Sequence, residues 1–308
     1  MNHSRSKFAC FTVALVIATF MTAGYATSGD HGADAVTGTI TTSNEIKKTG
    51  SLKLISLGTG DADNMTIRAR QAVTNADIIF TMGGRIDYYG DLLKGKEIYN
   101  AGHKLYAKNQ DKYNPKSGLK DKKAKNTGHG PRWHKSPEEL AAMQEKTRQV
   151  IRDAVAAGKH VAIIDNGDPT IFGPHIEYMR EFSDLHPEII PGISSFNAAN
   201  AVLQTSMVAG NAKAITLTLG RLENGRDKMI ANMIHSGQTL VFFMVRDLNG
   251  FIDGLNPLVP GDTPVAIVSW AGSRKKQRVI KSTMGTILET IGQERISNYL
   301  LYVGTALK

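Results

Sequence analysis

The chain has almost no cysteine. Its 308 residues hold one, Cys10, so no disulfide can close within the chain and no cysteine cluster can bind a metal. Basic residues are missing between Lys7 and Lys47, and from Phe8 to Ala23 there is no charge of either sign. Arg5 and Lys7 precede that apolar run, and Gly24-Tyr25-Ala26 follows it with small residues where a signal peptidase reads them. Residues 1–26 are therefore expected to be a secretory signal peptide. The other reading is an uncleaved anchor, because the run is long for a signal and short for a span. Both readings put the remainder in a periplasmic or other extracytoplasmic space, with membrane contact only through this segment. Residues 27–50, rich in Thr, Ser, Gly and Asp, read as a flexible leader. No recognised nucleic-acid module is present, and no nucleic-acid partner is expected.

Charge is uneven along the chain. Residues 94–135 hold twelve lysines and arginines against three acids, an excess that matches the net charge of +9 for the whole protein. The same stretch carries Tyr99, Tyr106, Tyr113, Trp133, His103, His129 and His134. It reads either as a solvated loop or as an electropositive lid over an anionic ligand.

The pattern of the body is α/β. Leu52–Leu57 and Val161–Ile164 are continuous apolar runs, as expected of strands covered on both faces. Ile78–Phe80 is a third short strand. Thr66 caps an expected helix through Asn75. Ser136, Pro137, Glu138 and Glu139 open another that Gly158 stops. Ile176–Phe182 and Phe196–Leu203 read as helices. Beyond Ala214 the strands Ala214–Leu219, Leu240–Val245, Pro264–Trp270, Arg278–Ser282 and Tyr299–Val303 suit a mixed sheet, with a helix at Arg226–Ile234. The expectation is two α/β domains, 51–188 and 189–308, with a cleft between them and a basic insertion at about 94–135.

Three turn-rich loops follow strand-like runs: Gly58-Thr59-Gly60-Asp61, Gly167-Asp168-Pro169-Thr170-Ile171-Phe172-Gly173 and Pro191-Gly192-Ile193-Ser194-Ser195. Loops at strand ends are where an α/β protein places a ligand, and their glycines let backbone approach it. Each polar residue also has a plainer role. Asp168 can accept from ribose hydroxyls or an amine, or shape its own turn before Pro169. Ser194 and Ser195 can donate to a carboxylate, or cap the helix at Phe196. Met244 closes a buried strand, where a core role is the usual one.

In order and spacing these segments resemble the tetrapyrrole methylases. The likeness runs over about residues 52–307. It rests on Gly58–Asp61, Met65-Thr66-Ile67-Arg68-Ala69, Ala76-Asp77-Ile78-Ile79, the Gly167–Gly173 and Pro191–Ser195 loops, Leu240–Met244, Thr263-Pro264-Val265-Ala266 and Tyr302-Val303-Gly304. The resemblance implies methyl transfer from S-adenosyl-L-methionine to a tetrapyrrole-like anionic substrate in the cleft between two α/β domains. It implies a cofactor shell of Thr59, Asn166, Gly167, Asp168, Ile171, Ser194, Ser195, Met244 and Gly272, no metal, and room for the homodimer that related enzymes commonly form. Where uroporphyrinogen methylases carry an aspartate used as a base, this chain has Met82, and Thr59 stands where the family usually has proline. A second reading is an exported binding protein that keeps the fold and holds a tetrapyrrole or haem, with His103, His129 or His134 as an axial ligand.

Overall fold

The structure, a computed structural model, describes residues 49–82, 89–107, 136–208 and 212–307. The signal and most of the leader lie outside them, as do His129, His134 and most of the basic stretch. Among the described residues no helix is long and apolar enough to cross a membrane.

The first half is a five-stranded sheet. β1 (Ser51–Ser56), β2 (Ile78–Thr81), β3 (Glu97–Asn100), β4 (His160–Asp165) and β5 (Glu188–Ile190) stand in the order β3-β2-β4-β1-β5, all parallel. Both faces are covered, which is why β1 and β4 are continuously apolar. Alternate residues feed opposite cores. Leu52, Leu54, Val161 and Ile163 pack with Ile151, Tyr178 and Phe182 on one side. Ile55, Ala162 and Ile164 pack with Ala69 and Val73 on the other. Helix α1 (Ile67–Asn75) begins where Thr66 accepts from Ala69 N at 3.1 Å. After α2 (Gly90–Leu93) comes α3 (Pro137–Ala156), which opens on the reciprocal bonds of Ser136 and Glu139, with Pro137 in the first turn.

Two boundaries differ from the sequence reading. Residues 94–107 are part of the fold. β3 extends the sheet, and Ala101, Leu105 and Tyr106 are buried in its core, so the stretch read as an insertion from 94 holds sheet and core through 107. β5 pairs with β1 through Ile190, so the first sheet continues past 188.

The second half is also five-stranded, in the order β6-β7-β10-β8-β9: β6 (Ala214–Leu219), β7 (Gln238–Phe243), β8 (Pro264–Ser269), β9 (Arg278–Thr283) and β10 (Tyr299–Val303). β6 and β7 are parallel, and the remaining pairs are antiparallel, so the sheet is mixed as expected. β6, β7 and β8 therefore end on the same side. On one face α6 (Arg226–His235), α7 (Leu248–Leu255) and α8 (Ile287–Ile291) cover Leu240, Phe242 and Ile267. On the other, α5 (Ser195–Leu203), which follows the short α4 (Glu177–Glu181), lays Ala199 and Leu203 against Val241, Phe243 and Tyr302.

Candidate functional site

The carboxyl ends of the two sheets meet, and backbone makes the junction. Buried Ser56, at the end of β1, donates its hydroxyl to the Gly167 carbonyl and accepts from Gly58 N at 3.1 Å. Gly167 N donates to the Gly58 carbonyl at 2.7 Å. The loops after β1 and β4 are thus zipped together. The first then reaches the second half. Asp61 N donates to the Gly272 carbonyl at 2.9 Å. The Asn64 amide donates to both the Thr59 and Gly272 carbonyls, at 2.8 and 2.9 Å. Arg274 N donates to Asp61 Oδ2 at 2.9 Å, and its guanidinium pairs with Asp63. Gly60 and Gly272 have φ of +79° and +84°, and a Cβ on Gly60 would lie 2.1 Å from the Gly272 carbonyl carbon. Only glycine allows this backbone path and this approach.

Of the nine expected cofactor residues, Thr59 and Gly272 meet in this clasp. Gly167 faces the start of α5: a Cβ there would stand 3.8 Å from Ser195 N and 4.0 Å from Ser194 Cα. The space beside Gly167 is therefore open to a ligand. Asn166 is exposed in the same loop, and Ile171 packs against the core that contains Phe243, next to Met244. The nine residues thus come from loops that touch one another.

Three of them show the plainer roles raised above, or depart from them. Asp168 Oδ1 accepts from Thr170 N at 2.8 Å and from its hydroxyl at 2.6 Å, which shapes the loop. Ser194 Oγ accepts from Asn197 N at 3.2 Å and donates to Asn197 Oδ1 at 2.6 Å, capping α5 while buried. Met244 overturns the core role. It is 53% exposed, because its left-handed backbone, φ +54°, turns it out of the strand line.

Phe172 and Trp270 share that behaviour and were not singled out from the sequence. Both are left-handed, at φ +60° and +51°. Both are partly exposed at strand-end loops, with Phe172 ringed against Phe243 at 5.1 Å. Non-glycine residues with positive φ are uncommon and cluster at ligand sites. Three large apolar side chains turned outward this way line the meeting ends of the sheets.

His103 lies in the turn after β3 and is exposed. Burial of its ring and the neighbouring Lys104, His175 and Arg246 charges hold its pKa below the ordinary histidine value, with Asp165 opposing. A small cavity under the sheet ends is lined by Thr81, Met82, Tyr89, Asp165 and Asn166. Beside the clasp runs a groove of about 800 Å³, which Gly272, Arg274, Ile193 and Asn197 help line. Among the described residues no three His, Cys, Asp or Glu side chains gather where they could hold a metal.

Two unlike five-stranded α/β halves, joined by glycine loops at their strand carboxyl ends, define a two-domain α/β protein with a ligand site at the junction. Residues 51–288 match the family model of the Tetrapyrrole (Corrin/Porphyrin) Methylases, and the chain belongs to that family. It is 29% identical over 253 residues to a uroporphyrinogen-III C-methyltransferase of Methanocaldococcus jannaschii, covering 80% of this chain and 91% of that protein. It is 27% identical over 271 residues to a siroheme synthase of Hydrogenovibrio crunogenus, covering 84% of this chain but 50% of that longer protein. Its fold matches a cobalt precorrin-4 methyltransferase with TM-score 0.59 at 18% identity, over 84% of this chain and 96% of that one. It also matches a Thermus thermophilus uroporphyrin-III C-methyltransferase crystallised with S-adenosylhomocysteine, with TM-score 0.56 at 20% identity, over 84% and 99% of the two chains.

Proposed function

We propose that this chain is a methyltransferase that moves a methyl group from S-adenosyl-L-methionine to a carbon of an anionic tetrapyrrole, of the class that uroporphyrinogen-III represents. The observation that carries the reading is the open backbone face at Gly167, set between the β1 loop, the clasp and the first turn of α5. When bound, the cofactor supplies an electrophilic methyl group on a sulfonium. This chain's part is to hold and orient. Gly167 leaves room for close approach, and the N-terminal turn of α5 at Ser195 offers backbone N–H groups suited to a carboxylate. Asp168 adds negative charge in the same loop, and Met244, Ile171 and Phe172 exclude water at the rim. Positioning of this kind can supply up to roughly 7–11 kcal/mol of rate acceleration. Lys104 and Arg246, with the lysines of the basic stretch, favour a polycarboxylate substrate. S-adenosylhomocysteine at tenfold its dissociation constant should raise the melting temperature by about 3–6 °C. A melting curve unmoved by millimolar ligand would sink the proposal.

The binding-protein reading is not favoured, since the likeness to C-methyltransferases runs through nearly the whole body. We also propose that the chain works outside the cytoplasm, on the strength of its charge-free apolar start. Expressed in a two-membrane bacterium, it should yield a mature N-terminus near Thr27 and leave the cell on osmotic shock. Full-length protein in the cytosol would contradict this.

A further inference from the structure

Beneath the junction lies a buried pair that methyl transfer, as described so far, leaves unused. Asp165 closes β4, and His175 lies on the returning limb of the loop that follows. Their side chains are 4% and 0% exposed, and Asp165 Oδ2 stands 3.3 Å from His175 Nδ1. Neither atom meets another hydrogen-bonding group. On its far side, His175 Nε2 lies 3.2 Å from the Gly102 carbonyl oxygen. A carbonyl only accepts, so Nε2 carries a hydrogen. A neutral imidazole would then aim the bare lone pair of Nδ1 at a bare carboxylate. Two facing acceptors shut away from water are unfavourable, so one proton lies between them. His175 is a ring that donates on both sides, tying β4 to the turn at Gly102.

That turn is held firmly. The Tyr178 hydroxyl donates to the Ala101 carbonyl at 2.6 Å, and the Gln144 amide donates to the Leu105 carbonyl at 2.7 Å. What the turn presents is His103. The charges that face it are Lys104, His175 and Asp165 from the first half and Arg246 from the loop after β7. His103 therefore stands where the two halves approach, as a neutral imidazole with a free lone pair at neutral pH.

Carbon methylation releases a proton. The substrate carbon gives an electron pair to the methyl carbon, the methyl–sulfur bond breaks, and its pair stays on sulfur as S-adenosylhomocysteine. The substrate is left with one positive charge, which it sheds by losing a proton from a ring N–H or a neighbouring carbon. A base must receive it, and Met82 cannot. Resting on the methyltransferase reading above, we propose that His103 takes this proton and passes it to solvent, and that His175, locked between Asp165 and Gly102, is the positioning residue that presents it.

The test uses the full chain with uroporphyrinogen III as the probe. His103→Gln should slow single-turnover methyl transfer about 100-fold or more, the scale of a lost general base, while S-adenosylhomocysteine affinity stays at the parent value. His175→Gln leaves the Asp165 carboxylate unbalanced beside His103. The acid limb of the pH–rate profile should then move to higher pH, and Asp165→Asn with His175→Gln should return it toward the parent. The same movements should appear in the NMR titration of the His103 ring in ligand-free protein. Full activity in His103→Gln, or a His103 midpoint that is the same in parent and His175→Gln, overturns the proposal. A parent that binds S-adenosylhomocysteine but methylates no tetrapyrrole overturns the methyltransferase reading, and the role of His103 as base falls with it.

Discussion

Gly192→Ala should destabilise the protein by about 3 kcal/mol, the upper part of the range for overfilling a packed site, and should abolish S-adenosylhomocysteine binding. A Cβ at 192 would lie 1.9 Å from Ser56 Oγ and 2.6 Å from Ser56 Cβ. Ser56 is fully buried and cannot swing aside without releasing Gly58 N and the Gly167 carbonyl. The added methyl therefore acts on two loops it does not touch. Ser56→Ala should fail to rescue the variant, since its own Cβ is already too close, whereas Ser56→Gly should restore much of the stability but not the binding. Denaturant unfolding and calorimetric titration read the two effects separately. Parent-like stability in Gly192→Ala would show that the third loop is not pressed against β1 as described.

Asp168→Ala should weaken S-adenosylhomocysteine binding by about 1.5–3 kcal/mol, the range for a hydrogen bond to a charged group, or roughly 10- to 150-fold in affinity. The residue has two tasks, and a pair of variants separates them. Oδ1 shapes the loop by accepting from Thr170, while Oδ2 takes no part in that turn. Asp168→Asn retains an oxygen for Thr170 and removes the negative charge. If Asp168 meets the ligand as an anion, both variants lose affinity while the asparagine form melts like the parent. If Asp168 serves only the turn, Asp168→Asn should bind as the parent does, and the cofactor role assigned to it is wrong.

How much of this was legible in the sequence depends on the range over which each signal acts. β1, β4 and α3 announce themselves locally, through unbroken apolar runs and through Ser136, Pro137 and Glu139 at one helix start. β3 does not. It lies at the sheet edge with Glu97, Ile98 and Asn100 exposed, and a strand covered on few sides needs few apolar residues. Its lysine-flanked sequence reads as part of a charged loop. The three glycine loops stand out because their composition is unusual wherever they end up. What closes them together is a single Asn64 amide meeting a carbonyl 208 positions away, and no local pattern marks that. The outward turn of Met244 is set by one backbone angle, so the usual burial of a strand-end methionine misleads. Asp165 and His175 face each other only because the loop after β4 folds back over its own strand.

The junction of the two halves is written largely in main-chain atoms. Thr59 enters it through its carbonyl, Gly272 through its carbonyl and missing Cβ, and Gly58 and Gly167 through a mutual amide bond. Thr59 can therefore stand where related chains have proline, because the bonded atom is the same in both. Drift in side-chain identity at such positions leaves the contact intact, so ordinary alanine scanning across 57–61 would pass over much of what holds the domains in register. Replacing the amide donating at Asp61 or Gly167 with an ester linkage, by semisynthesis, would register there, and the loss would be felt as domain opening rather than as a change in chemistry.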